Sequence, residues 1–189
     1  ATTPANPNLI LCPMDQNFPW ASDDFGASLY TPNWNGLWVG RSGVSAWIDP
    51  EDANRQILMY SAASQAIDPA FDAFSGVYLS TDGGVSCTHV LSMPLLQGTT
   101  SSRQNMRLVT HVPGGTPATR TLYALHNARA DSKEPTIGML QLWRSQNGGA
   151  TWAKLGGELD AATYAKGKNG AYGIAAAPNG DLYLWTETG

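Results

Sequence analysis

The stretch Ser145-Gln146-Asn147-Gly148-Gly149-Ala150-Thr151-Trp152 decides the fold, because its spacing of Ser, Asp or Asn, Gly, Ser or Thr, and a closing Trp recurs along the chain. A second copy, Ser80–Cys87, keeps every element except the Trp. A third copy, Ser22–Leu29, keeps the same elements with Leu in the last place. The copies begin 58 and 65 residues apart, and self-similarity at such spacings indicates a repeat architecture.

Each copy has the chemistry of a tight hairpin turn. Glycine adopts positive φ angles without strain, and an Asp or Asn side chain binds nearby backbone amides. The pattern resembles the Asp-box, or bacterial neuraminidase repeat, of sialidases, xyloglucanase-type glycosidases and sortilin-type receptors. The resemblance implies a structural role, away from the ligand face, for eleven residues: Ser22, Asp24, Gly26, Ser80, Asp82, Gly84, Ser145, Asn147, Gly149, Thr151 and Trp152.

Short β-prone runs separated by turn residues surround each of these boxes. The turn Asp49–Asn54, for example, separates Val44–Ile48 from Gln56–Tyr60, and similar Pro, Gly and Asn turns recur later. One repeat therefore consists of strand A, a turn, strand B, a variable loop, strand C, the box and strand D. Four antiparallel strands per repeat predict an all-β fold, a β-propeller of four-stranded blades.

The chain contains about three blades by this pattern. Blade 1 spans about 1–32 with strands B, C and D, blade 2 about 41–92, blade 3 about 103–157, and a fourth blade begins in about 170–189. A propeller closes with four to eight blades, so we expect part of a larger propeller. The remaining blades would come from the same chain or from another chain, including a second copy.

Composition restricts the classes of partner. The net charge of −4 and the absence of a Lys/Arg run argue against nucleic acid, and no apolar stretch is long enough to span a membrane. No cofactor or metal is implied, because His and Cys are scattered. Cys12 and Cys87 are expected to be buried free thiols, with a disulfide between blades as the alternative. We expect an extracellular location.

The loop Asn33–Arg41 is the best candidate for ligand contact. Its rings Trp34 and Trp38 suit stacking on pyranose faces, and Arg41, with Arg103 in the corresponding later loop, suits hydrogen bonds to sugar hydroxyls. Carbohydrate is therefore the expected ligand. The alternative is that both Trp side chains fill the space between blades.

Glycoside hydrolysis usually requires two carboxyl groups about 5 to 10 Å apart. Loop carboxylates on the expected ligand face are Asp68, Asp72, Asp131 and Glu134, with Asp15 nearby. We name Asp72 and Asp68 as the catalytic candidates, because aromatic neighbours would desolvate Asp72 and favour its protonated form. An exposed, non-catalytic loop Asp is the alternative for each.

The stretch from Gly43 to Tyr60, with its Asp49-Pro50 turn, resembles the blades of xyloglucanase-type propellers, and Gly76–Gly84 resembles the box that follows. The resemblance lies in scaffold positions and implies an extracellular carbohydrate-active propeller. The first interpretation is part of a glycoside hydrolase, endo-glucanase- or xyloglucanase-like, acting on a plant- or microbial-type polysaccharide. The second is a non-catalytic glycan- or protein-binding propeller. The third is a structural propeller segment of a larger assembly.

Overall fold

The computed structural model describes residues 1–14, 19–35, 42–61, 74–93, 105–128, 140–159 and 171–186, and these ranges contain strands and turns but no helix. The strands, in chain order, are β1 (Thr2–Thr3), β2 (Asn6–Cys12), β3 (Trp20–Ser22), β4 (Ser42–Ile48), β5 (Gln56–Ser61), β6 (Gly76–Ser80), β7 (Thr88–Ser92), β8 (Asn105–His111), β9 (Leu122–Ala128), β10 (Leu140–Ser145), β11 (Ala153–Leu159), β12 (Ala171–Ala176) and β13 (Leu182–Thr186).

Sequence-adjacent strands pair antiparallel to form two complete four-stranded sheets, β4-β5-β6-β7 and β8-β9-β10-β11. A three-stranded sheet, β1-β2-β3, precedes them and a two-stranded sheet, β12-β13, follows. The first strands of successive sheets lie side by side, β4 against β8 and β8 against β12. This radial arrangement confirms the predicted all-β propeller of four-stranded antiparallel blades.

The first sheet differs from the predicted order of strands B, C and D. The structure adds the two-residue strand β1, which pairs with β2, in the place of strand A. Its strand D is reduced to a single bridge between Ala21 and Tyr30. Leu9, Leu11 and Ala21 of this sheet are nevertheless buried against the second sheet.

The core lies between successive sheets, because the strands are apolar on both faces. In β5, Ile57 and Met59 pack toward the third sheet, whereas Leu58 and Tyr60 pack toward the first, and all four are fully buried. Side chains alternate between the two faces of a strand, so a continuous apolar run indicates burial on both. This explains the uninterrupted apolar run Ile57–Tyr60 in β5.

One hydrogen-bond network repeats in all three boxes. In the second box the Ser80 hydroxyl donates to Asp82 Oδ1 at 2.8 Å and accepts from the Gly84 N–H at 2.9 Å. Asp82 Oδ1 also accepts from the Ser86 N–H at 2.9 Å, and Asp82 Oδ2 accepts from the Ser86 hydroxyl. The first box reproduces these bonds around Asp24. The third box keeps the bonds to the Asn147 oxygen and to the Ser145 hydroxyl, but here the Asn147 amide donates to the Thr151 hydroxyl at 2.8 Å.

The two central residues of each box have positive φ angles. They are Gly83 and Gly84 in the second box and Gly148 and Gly149 in the third. The first box has Phe25 at +61° in the corresponding place, followed by Gly26. A non-glycine residue is strained in this region, so the first box carries backbone strain that the glycine pairs of the other two boxes avoid.

Blades 2 and 3 are tied together at the end that carries the boxes. Arg120, which precedes β9, places Nε 2.6 Å from Asp49 Oδ2 and Nη2 3.2 Å from Asp49 Oδ1, and both side chains are buried. The Asp49 carbonyl accepts a hydrogen bond from Thr3 of the first sheet. Arg55 Nη1 donates to the Gly148 carbonyl of the third box at 2.7 Å. These contacts join three sheets, and we call them the inter-blade latch.

The innermost strands are joined by a second polar contact between the same blades. Trp47 Nε1 of β4 donates to His111 Nδ1 of β8 at 3.0 Å. Burial lowers the pKa of His111, and the nearby Arg120 guanidinium lowers it further. The ring is therefore held neutral, which leaves Nδ1 available as the acceptor.

Replacing Arg120 with Ala is expected to destabilise the protein by about 3–5 kcal/mol, because the Asp49 carboxylate is left buried without its partner. The free energy of unfolding in urea measures the effect. Glu51 is the matched control: it also approaches Arg120, at 3.3 Å, but is 59% exposed. Glu51→Gln is expected to change stability by less than about 1 kcal/mol. Equal losses of unfolding free energy in both variants would contradict a stabilising role for the buried Asp49–Arg120 pair.

Replacing Asp82 with Asn is expected to preserve the box and remove one source of acid sensitivity. Hydrogen bonds from the Ser86 hydroxyl and N–H, then from Ser80, lower the pKa of Asp82 to about 2. A depressed carboxyl pKa stabilises the fold above the unfolded-state value near 4, and this contribution is lost as the pH falls toward 2. Asn147 shows that an amide fits the network. Thermal melts at pH 7 and pH 2 should therefore differ more for the wild type than for Asp82→Asn, and the variant should remain folded at pH 7.

Candidate ligand face

The loops predicted to bind ligand all emerge from one end of the sheets. Ser42 pairs with Ser61, and Gly76 pairs with both Tyr60 and Ser92, so β4 begins where β5 ends, β6 begins and β7 ends. The third sheet repeats this register. The boxes and the turns between the first and second strands lie at the opposite end. We call these the ligand end and the turn end.

Most of the predicted site residues lie outside the described residues. Asp68 and Asp72 belong to the segment 62–73 between β5 and β6, and Trp38 and Arg41 precede β4. Arg103 precedes β8. Asp15, Asp131 and Glu134 are also outside the described ranges. Their roles therefore remain predictions, supported by the register, which starts and ends these connections at the ligand end.

Trp34 is described, and it is buried rather than presented to a ligand. Its side chain is 1% exposed and packs between the first and second sheets with Leu11, Ile48 and Tyr78. The Trp34 N–H donates to the Gly84 carbonyl of the second box at 2.7 Å. No face of the Trp34 ring is open to a sugar. The structure therefore supports the alternative, in which Trp34 fills the space between blades, rather than the predicted stacking on a pyranose.

The position of Trp34 compensates for the missing Trp of the second box. Cys87 stands there instead, half-buried, with its thiol 3.7 Å from the Trp34 carbonyl. A Cβ on Gly84 would lie 2.8 Å from Trp34 Nε1, so the ring sits directly on the box glycine. Sequence reasoning assigned Trp34 to the ligand loop. The sequence signal that Trp34 belongs to the core was that Cys87 occupies the place of the closing Trp in the second box.

Both cysteines are free thiols. Burial, and then the neighbouring Asp82 carboxylate, raise the pKa of Cys87 to about 12. A thiol that stays protonated at neutral pH is a poor nucleophile and metal ligand. Within the described ranges, no three His, Cys, Asp or Glu side chains gather as a metal site would require.

Carboxylates with described side chains lie at the turn end. Asp24 and Asp82 belong to boxes, Asp49 is paired with Arg120, and Asp181 occupies the turn before β13. Among the described side chains, therefore, no carboxylate pair faces the ligand end. A hydrolytic pair would have to come from the loops, where Asp68 and Asp72 stand.

Tyr78 and His89 anchor the start of β6 below the loop that carries Asp72. Their rings stack with centroids 4.6 Å apart, and the Tyr78 hydroxyl donates to the Phe74 carbonyl at 2.6 Å. Burial lowers the pKa of His89, so the stacked ring is neutral. This fixes the backbone two residues after Asp72. Sequence reasoning did not find the pair, because residues on adjacent strands are brought together only by register.

Nothing in the described ranges forms a helix that could span a membrane. No protein-family model and no curated protein sequence matches the chain. Solved structures do match its fold. An ancestral GH74 enzyme matches 100% of this chain and 21% of its own, with 17% sequence identity and a TM-score of 0.64.

Two further GH74 structures agree with that likeness. The GH74 xyloglucanase from Xanthomonas campestris matches 95% of this chain at 17% identity, with a TM-score of 0.52. The GH74 enzyme from Niastella koreensis matches 82% at 19% identity, with a TM-score of 0.50. The chain spans between a fifth and a quarter of the length of these structures. At such identities the likeness establishes the propeller fold.

Replacing Trp34 with Ala is expected to destabilise the protein by about 3–5 kcal/mol, because a large buried ring is removed from between two sheets. Urea unfolding measures the loss. Trp20, which is 38% exposed on the first sheet, is the matched control and should cost less than half as much when changed to Ala. A Trp34→Ala protein of unchanged stability but weakened glycan binding would restore the sugar-contact interpretation.

Proposed function

We propose that this chain is part of an extracellular glycoside hydrolase, endo-glucanase- or xyloglucanase-like, that cleaves a plant- or microbial-type polysaccharide. The observation that carries the proposal is the fold likeness to GH74 propellers over the whole chain. The shared register adds support, because the variable connections meet at one end of the sheets. Ligand-binding residues are commonly held on loops above a rigid scaffold.

Asp72 and Asp68 are the proposed acid and base or nucleophile. Hydrolysis of a glycosidic bond needs one carboxyl group to protonate the leaving oxygen and a second to activate water or attack the sugar. Both residues lie on the connection from β5 to β6, which the Tyr78–Phe74 hydrogen bond fixes at its downstream end. The partner carboxylate comes from Asp68 or from another loop of the same face.

Trp38, Arg41 and Arg103 are the proposed sugar-binding residues. An indole ring stacks on the apolar face of a pyranose, and guanidinium groups donate hydrogen bonds to hydroxyls. With Trp34 assigned to the core, Trp38 is the remaining aromatic side chain of its loop. Arg41 directly precedes β4 and Arg103 lies two residues before β8, and the start of both strands at the ligand end supports this proposal.

A non-catalytic glycan- or protein-binding propeller is the second candidate. It is favoured by the placement of the described carboxylates, which are used at the turn end for boxes and for the latch. Under this proposal the same loops hold a ligand without cleaving it.

A structural propeller segment is the third candidate. The specific observation is that Trp20 on the first sheet and Tyr183 on the last are exposed large side chains. In a longer ring, supplied by the same or another chain, further blades would cover such faces.

The test is hydrolysis of xyloglucan and related β-glucans by the protein that contains this chain. Asp72→Asn is expected to lower kcat by about 10²–10⁴-fold with little change in unfolding, because the acid or base is lost while the fold remains. Asp181→Asn, at the opposite end, is the matched control and should retain activity. Measurable hydrolysis unaffected by either Asp72→Asn or Asp68→Asn would contradict these assignments. Tight glycan binding without hydrolysis would favour the non-catalytic binding propeller over the glycoside hydrolase.

A further inference from the structure

The third box lines a pocket on the surface of blade 3. The pocket encloses about 220 Å³ at the turn end of blade 3, and its walls are Arg144, Gln146, Asn147, Thr151, Trp152 and Ala153. It lies at the end of the sheets opposite to the proposed ligand face. Its volume is below the roughly 300–1,000 Å³ of clefts that hold drug-sized ligands, so it suits one small ring.

Four side chains distinguish this box from the other two. The residue before the box Ser is Arg144, the second residue is Gln146, the third is neutral Asn147, and the eighth is Trp152. The corresponding residues are Ala21, Asp23, Asp24 and Leu29 in the first box, and Leu79, Thr81, Asp82 and Cys87 in the second. The same backbone turn thus carries a cation, an amide and an indole only in the third copy.

The charge of the pocket is positive. In the other boxes hydrogen bonds from the neighbouring Ser residues lower the pKa of Asp24 and Asp82 to about 2, so each turn is anionic at neutral pH. Asn147 makes the same bonds without the charge. The Arg144 guanidinium has no hydrogen-bond or ion-pair partner among the described residues, and neither does the Gln146 amide. Both side chains line the pocket.

The indole is held in a fixed position. Trp152 Nε1 donates to the Gly149 carbonyl at 2.9 Å, and one part of the ring packs against the core between blades 2 and 3. The Asn147 amide is already bound to the Thr151 hydroxyl at 2.8 Å. The turn therefore satisfies its own polar groups and presents the ring beside Arg144.

From these features we propose that the third box binds the uronic acid unit of an anionic carbohydrate. A guanidinium group pairs with a carboxylate through two parallel hydrogen bonds, and an indole stacks on the apolar face of a pyranose. The Gln146 amide lines the same pocket and can supply a hydrogen bond to a ring hydroxyl. One sugar unit held by one charged contact and one ring gives a Kd on the order of 1 mM. The site needs no carboxylate pair and does not depend on the proposed hydrolysis.

The experiment is a titration of the ¹⁵N-labelled protein with sodium glucuronate, followed at the indole N–H resonance of Trp152. Glucose tests the requirement for the carboxylate, and sodium acetate tests the requirement for the sugar ring. We expect glucuronate to saturate the shift with an affinity at least about tenfold higher than either control. If glucuronate binds no more tightly than acetate, the site binds anions without recognising the sugar ring. If it binds no more tightly than glucose, Arg144 does not pair with the carboxylate. Either result overturns the proposal.

The decisive variant is Asn147→Asp. It restores the residue that the other two boxes use for the same hydrogen bonds, so the turn is preserved while a negative charge enters the pocket. We expect affinity for glucuronate to fall at least about tenfold, as for Arg144→Gln, which removes the charged donor. Asp82→Asn in the second box is the matched control and should leave binding unchanged. Wild-type affinity in Asn147→Asp would overturn the proposal. Glycan hydrolysis is measured separately, so failure here leaves the proposed function untouched.

Discussion

The buried ion pair between Asp49 and Arg120 is the contact on which the arrangement of the blades depends. The two residues are 71 positions apart, and one carboxylate receives two guanidinium hydrogen bonds in the space between the second and third sheets. Asp49 also binds the amides of Glu51 and Asp52 within its own turn. A charge withdrawn from water is stable only when such partners replace the water. The turn, the next blade and, through Thr3, the previous blade are therefore fixed by one residue.

This latch separates the molecule into two ends with different physical roles. At the turn end, the box serines and aspartates hold the hairpins through hydrogen bonds, and Arg55 binds the backbone of the neighbouring box. The connections at the ligand end do not carry the boxes, and they vary in length and sequence. A propeller can thus keep its blades while changing its chemistry, which is why fold likeness at 17% identity describes the scaffold rather than the activity.

The three boxes show how the copies of a repeat can differ in side chains without losing their geometry. The network needs an oxygen acceptor at the third position, and Asp or Asn both supply it. It needs two positive φ angles, which Phe25 adopts under strain and glycine adopts freely. The residues before and after the network are not constrained by it. Burial against a neighbouring blade selects Leu79, whereas the corresponding Arg144 lines an open pocket.

Local pattern in the sequence was sufficient to predict the class of fold, because hairpin turns and apolar runs follow from neighbouring residues. The box spacing identified Ser80, Asp82 and Gly84 as one unit, and they do share hydrogen bonds within five residues of chain. Continuous runs such as Ile57–Tyr60 predicted buried strands, because burial on both faces removes polar alternation. The tertiary structure alone decided what distant residues do. Trp34 lies in a loop sequence typical of sugar binding, yet it fills the gap beside Cys87, and Asp49 and Arg120 meet only when blades stack. Those contacts depend on packing between sheets, and no spacing along the chain encodes them.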